Sequence, residues 1–153
     1  MKQAINYSVK ISFVLYLSIL FLLLFVRHRG MIWSDLSAWQ YAKIHMNLIP
    51  TKTILEYAGA WIHGTMNWEI PVENIFGNFF LFLPMGIYLP RFYKTIDNSK
   101  KFLAVMTILL LLVEVMQFLT KRGSFDIDDF ILNLCGALVG YWIWTKRKKR
   151  NRS

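Results

Sequence analysis

Four long apolar runs dominate the hydropathy pattern, at Ile11 to Val26, Pro71 to Leu89, Phe102 to Thr120 and Ile127 to Trp144. With its wet lead-in from Tyr7 to Lys10, the first run is long enough to span roughly 30 Å of hydrocarbon as a helix. A cleaved signal peptide is the rival reading of this run. No small-x-small site follows it, and it ends in Arg27-His28-Arg29, so an uncleaved anchor is expected. The pattern therefore predicts four spans, at 8–27, 71–89, 102–120 and 127–144, and a basic tail at 145–153. Pro71 suits a first helical turn, where its missing N–H has no intrahelical partner. Pro84 lies inside the second span and predicts a kink or break between Phe80 and Gly86. Pro90 is expected to end that helix.

Residues 28 to about 70 follow a different rhythm. Trp33, Trp39, Tyr41, Tyr57, Trp61 and Trp68 are set among polar residues, with Pro50 in the middle. Ile54, Ala58, Trp61, Ile62 and Thr65 share one helical face. Ser34 to Met46 predicts a second short helix, with Ser34 as its N-cap. Two readings stay open: helices lying in the membrane interface, or a folded loop packed on the span ends.

Composition supports a membrane chain. Of 153 residues, 56% are hydrophobic, and mean hydropathy is +0.38, a balance uncommon in a soluble domain. The net charge of +9 sits between and beyond the apolar runs. That is the pattern for anionic lipid and topology, and no nucleic-acid role is expected. Twelve of the 18 Lys and Arg residues fall at the N-terminus, in the 91–101 loop and in the tail, which the positive-inside rule places in the cytoplasm. The fold class expected is an all-α polytopic membrane bundle with an aromatic-rich outer loop and both termini cytoplasmic. The lone Cys135 excludes an internal disulfide, and the scattered His28, His45 and His63 match no zinc spacing.

This topology gathers polar residues at one end. The outer end of the second span carries Glu73, Asn74, Gly77 and Asn78. The third brings Glu114, Gln117, Lys121 and Arg122, and the fourth brings Asp126, Asp128, Asp129 and Asn133. Helical spacing puts Asn74 with Asn78, Glu114 with Gln117, and Asp126 with Asp129 and Asn133 on single faces. The last face continues into Gly136 and Gly140, a GxxxG that allows close backbone approach. Gly77 and Gly86 are further packing candidates. Glu114 lies about 9 Å inside its span at a 1.5 Å rise per residue. A carboxylate there costs about 2.5–3.5 kcal/mol on insertion scales, so it needs a partner or a proton. Arg122, Lys121, Asn78 and Asn133 are the candidate partners by depth.

A structural reading stands beside the functional one. Asp126 caps the fourth helix, Asp128 and Asp129 favour its dipole, and the asparagines are interhelical glue. Asp126-x-Asp128-Asp129 lacks the glycine and distal glutamate of a calcium loop. No metal or cofactor site is expected, and no nucleophile–base pair is visible.

Taken together, the residues resemble the VanZ-like family of small bacterial membrane proteins. The resemblance rests on Asn47-Leu48-Ile49-Pro50, on Asn74-Ile75-Phe76-Gly77-Asn78 running through Pro84-Met85-Gly86 to Leu89-Pro90, and on Glu114-x-x-Gln117. It continues in Arg122-x-x-Phe125-Asp126-x-Asp128-Asp129 and Asn133-x-x-Gly136-x-x-x-Gly140. Thr51 stands where the family usually has an aromatic. The family is named for a protein that raises resistance to teicoplanin, a lipoglycopeptide that binds cell-wall precursors. The resemblance thus implies a role in a Gram-positive envelope, with membrane lipids and a lipid-linked precursor or lipoglycopeptide as the partners to expect. Three functions follow as expectations: an outer polar pocket that binds such a molecule, an enzyme acting on a lipid-linked substrate with Glu114 or Asp129 as base, or a structural subunit without a ligand. Oligomeric state is not legible.

Overall fold

The computed structural model describes residues 2–26, 36–96 and 98–150, with side chains from residue 7 onward. It is a helical bundle. Helix α1 (Lys2–Phe21) continues as a π-helical turn, Leu22–Val26. Two short helices follow, α2 (Ala38–His45) and α3 (Lys52–His63). Three long ones complete the chain: α4 (Glu69–Phe92), α5 (Ser99–Leu119) and α6 (Ile127–Arg150). Tyr7–Val26, α4, α5 and α6 are long and apolar enough to cross a membrane, and the protein is a multi-pass membrane protein.

Backbone contact between α4 and α6 organises the bundle. Gly136 lies against the Phe79 carbonyl, Gly140 against the Leu83 carbonyl, and Gly86 against Ala137 and Gly140; a Cβ at any of the three would overlap backbone atoms. Phe79 to Leu83 and Gly136 to Gly140 advance together, so the two helices run parallel. In a membrane, where lipid tails are as apolar as leucine, such close approach is a main source of helix association. The core of Phe82, Met85, Leu89, Phe102, Met106, Leu110 and Ala137 fills the space beside this contact.

Helix α5 runs antiparallel to α6. The Phe102 and Tyr141 rings stack at 4.3 Å near one end, and Glu114 meets the Asp126 backbone at the other. Helix α1 lies antiparallel to α4 along its aromatic edge. Tyr88 donates to Ser12 Oγ at 3.0 Å, Tyr16 donates to the Leu81 carbonyl at 2.8 Å, and Phe13 stacks on Phe92. Most of the outer surface of α1 is exposed apolar side chain, as a lipid-facing helix requires.

Several expectations need correction. No break occurs at Pro84, where helix α4 continues, and Pro90 lies in its last turn instead of ending it. Gly77 meets nothing within 4 Å of a built Cβ, so it is not a packing position; Gly86, on the face toward α6, is. Helix α2 begins at Ala38 under a capping box of Ser37 and Gln40, and Ser34 lies outside the described residues. Helix α6 runs on through the basic stretch to Arg150.

The glycine contacts generate a prediction. Gly136→Val should lower thermal stability in detergent by about 1–3 kcal/mol or more, because backbone cannot move aside as a side chain can. Gly77→Ala should be neutral or slightly stabilising, and fluorescence-detected size exclusion after heating checks both.

Candidate functional site

The four passes bring the Val26 end of α1, the Glu69 end of α4, the Leu119 end of α5 and the Ile127 end of α6 to one side of the bundle. The segment from residue 36 to 65 folds over this end. A short parallel bridge joins Met46–Asn47 to Phe125–Asp126. Around it, two aspartates hold the segment down.

Asp126 caps α6 by accepting the Asp128 N–H at 2.9 Å. Its carboxylate also accepts the Thr53 hydroxyl at 2.6 Å and the Asn47 amide at 3.2 Å, and that amide reaches Thr53 Oγ1 at 2.8 Å. Asp128 is 0% exposed and caps a different helix. Its two oxygens take the Thr51 N–H at 2.6 Å and the Ile54 N–H at 3.2 Å, two of the orphan donors at the start of α3. Thr51 makes no cap bond of its own and sits at φ 69°, in the left-handed region. A β-branched residue there is strained by about 1–3 kcal/mol, and the bond to Asp128 holds it. The Asn47 side chain turns back to accept the Ile49 N–H at 3.2 Å, which shapes Asn47-Leu48-Ile49-Pro50.

Around this latch, side chains donate to backbone carbonyls of the loops and of the last turn of the first span. Tyr41 donates to Gly123 at 2.7 Å, Lys121 to Leu36 at 2.7 Å and Gln117 to Leu24 at 3.0 Å. Arg122 donates to Phe25. Burial raises the Tyr41 hydroxyl above its ordinary pKa, more than its bond to Gly123 lowers it. His45, stacked on Tyr41 at 4.4 Å, is lowered by loss of water.

Beneath the latch lies a second layer. Asn78 donates to Asp129 at 2.5 Å, joining α4 to α6. Glu114, 3% exposed, accepts the Asp126 N–H at a long 3.4 Å. The charges facing it are the carboxylates of Asp129 and Asp126. One turn further along α6, Asn133 is 3% exposed, and its Oδ1 has no hydrogen-bond partner among the described residues.

The structure thus brings together Asn78, Glu114, Asp126, Asp128 and Asp129, with Asn133 next along the same helix. It does not bring in Asn74, which donates to its own helix at the Ile70 carbonyl, 2.8 Å away. Nor do Arg122 and Lys121 take up the expected pairing with Glu114; both reach carbonyls of the segments that cover the bundle end. The asparagines expected as partners do not supply a bond either: the Asn78 amide goes to Asp129. An open groove lined by Val14, Leu17, Ser18, Phe21 and Leu22 lies on α1 and includes none of these polar residues. Among the described residues no group of three or more His, Cys, Asp or Glu is arranged to hold a metal ion. Sequence reasoning missed Thr53 and Tyr41 as partners. Asn47 in its motif was the available signal, because an Asn before a Pro-terminated turn invites a side chain–backbone bond.

Fold and site together define a small polytopic membrane protein whose acidic span ends fasten an amphipathic segment over the bundle. The chain belongs to the VanZ/LLP1 family, whose sequence profile matches residues 13–147. Over 108 residues it is 29% identical to protein VanZ of Enterococcus faecium, covering 71% of this chain and 57% of that protein. The chain thus spans a little over half the length of this curated relative. No solved structure matches it.

Removing the cap across helices should be measurable. Asp128→Ala removes the acceptor of the Thr51 and Ile54 N–H groups and should cost about 1–3 kcal/mol in detergent unfolding. Asp128→Asn, which keeps one carbonyl oxygen, should cost less. Equal stability of Asp128→Ala and the parent would contradict the latch.

Proposed function

We propose that this protein lowers susceptibility to lipoglycopeptides such as teicoplanin, or maintains the envelope those drugs attack, by engaging a lipid-linked envelope component or the drug itself at the polar end of its bundle. Family membership and the similarity to protein VanZ support the resistance-type role. The observation that carries the site is Glu114. Asp126 and Asp128 are accounted for as caps and latches. Among the described residues, Glu114 accepts only the long bond from the Asp126 N–H. It is buried in a span, faces two other carboxylates and holds a single long bond. Gathered carboxylates repel one another strongly where water is excluded. A cationic or hydroxyl group on a bound molecule relieves that repulsion. Arg122 commits one bond to Phe25 and keeps further N–H donors for an anionic group such as a lipid phosphate.

The reading requires the polar end to face outward in the cell membrane, with both termini in the cytoplasm. The positive residues at the opposite end of the bundle, in the 91–101 loop and in the tail, support that orientation. With Cys135 replaced, Ser124→Cys should react with an impermeant maleimide from outside intact cells and Ser99→Cys should not; the reverse pattern overturns the orientation.

Expression in a teicoplanin-susceptible Gram-positive host tests the function. The expected result is a several-fold rise in the inhibitory concentration of teicoplanin, with little change for vancomycin. Glu114→Gln should abolish the rise at unchanged protein level. A structural reading of the whole polar layer predicts instead that Glu114→Gln, Arg122→Gln and Asp129→Asn act only by lowering the amount of protein.

A further inference from the structure

Helix α3 has three faces, and only two of them are explained by the latch and by water. At about 100° per residue, Thr53, Tyr57 and Ala60 fall on one side, the side that Thr53 fastens to Asp126. Lys52, Glu56 and His63 fall on a second, exposed and polar. Ile54, Leu55, Ala58, Trp61 and Ile62 fall on a third. That third face is apolar yet open: Leu55 is 67% exposed and Ile62 79%. The residues that lead into α3 and out of it continue the pattern, with Leu48, Ile49, Met66 and Trp68 all exposed.

We propose that this face is a lipid-docking surface, lying in the interfacial layer of the bilayer with the long axis of α3 along the membrane plane. Three observations select lipid as the occupant. The face is continuous with a lipid-facing surface: five residues after α3 the chain enters the spanning helix α4, whose Ile70, Phe76 and Phe80 are likewise exposed. The left-handed Gly64 makes that sharp exit from α3 without a Cβ penalty. The latch fixes depth, because Asp126 and Asp128 sit at the start of the spanning helix α6 and hold the N-terminus of α3 at that level. Finally, the exposed tryptophans Trp61 and Trp68 and the Lys43 ammonium over the Trp39 ring, 5.1 Å from its centroid, suit the headgroup layer. Apolar, protein-facing and aqueous sides on one short helix are what a helix needs when it touches bundle, lipid and water at once.

Burial of the apolar face would also explain how a strained Thr51 and a handful of hydrogen bonds suffice to keep the segment ordered. The docked segment would then roof the Glu114 layer at headgroup depth.

Site-directed spin labelling in phosphatidylglycerol–phosphatidylethanolamine vesicles tests this. Single cysteines at Leu55, Ile62, Lys52 and Glu56 are placed in the full chain with Cys135→Ser, each labelled and checked for a monodisperse profile. Labels at Leu55 and Ile62 should collide several-fold more with oxygen than with a water-soluble nickel chelate, and labels at Lys52 and Glu56 should show the reverse. Equal nickel access at all four positions would overturn the proposal in favour of a solvated loop. Exclusion of both reagents at Leu55 and Ile62 would overturn it in favour of a second copy or another protein seated on the face. Because these readouts need no antibiotic, they stand or fall apart from the resistance reading.

Discussion

Asp128 is a carboxylate with no exposure at all, at the mouth of a membrane-spanning helix. A charge taken from water is tolerated only where it is well hydrogen-bonded, and the donors come from a helix far away in sequence. That requirement ties α3 to α6, and much of the remaining architecture of this end follows from it. Thr51 is held left-handed, Asn47 and Thr53 converge on Asp126, and the two-residue parallel bridge aligns the segments. In water such bonds would compete with solvent. At the boundary of a bilayer the competition is weaker, and unmade bonds cost more.

The latch can form only because the span ends are correctly juxtaposed, and glycine provides that. Gly86, Gly136 and Gly140 let the α4 and α6 backbones touch, which sets their parallel register and brings Asn78 onto Asp129. The two devices therefore support each other from opposite sides of the polar layer: close packing deeper in the bundle and hydrogen bonding at its end. Glu114 lies between them. It is buried by the packing and neighboured by the caps, yet neither device uses it for more than one long bond. Asp126 and Asp128 hold the segments together, and it is on the proposed function alone that Glu114 is read as the residue left for a ligand.

The helix pattern was legible because a spanning helix needs a long apolar run, and such runs are visible one residue at a time. The same holds for the GxxxG at Gly136 and Gly140, whose spacing alone marks a packing face. Pro84 does not break α4, which runs on to Phe92; the carbonyl that loses its partner to Pro84 is that of Phe80, one turn back. Gly77 departs because nine residues of helix, at about 100° each, put it on the face of α4 opposite Gly86, and the rotation of the helix in the bundle turns the Gly86 face to α6. Arg122 and Lys121 do not reach Glu114 because depth along a span says nothing about direction around it. Their side chains turn to carbonyls of neighbouring segments, Arg122 to Phe25 in the last turn of the first span and Lys121 to Leu36 ahead of α2.

By itself, then, the sequence determined the number of passes, the end of the bundle at which polar residues collect and the family to which the chain belongs, since each of these is written in local hydropathy and spacing. Only the tertiary structure decided what the polar residues do there. Asp126 and Asp128 serve a helix entry and a loop far from them in sequence, and Asn74 serves only its own turn. Hydrogen-bond partners are set by distance and direction in three dimensions, and spacing along one chain does not encode them.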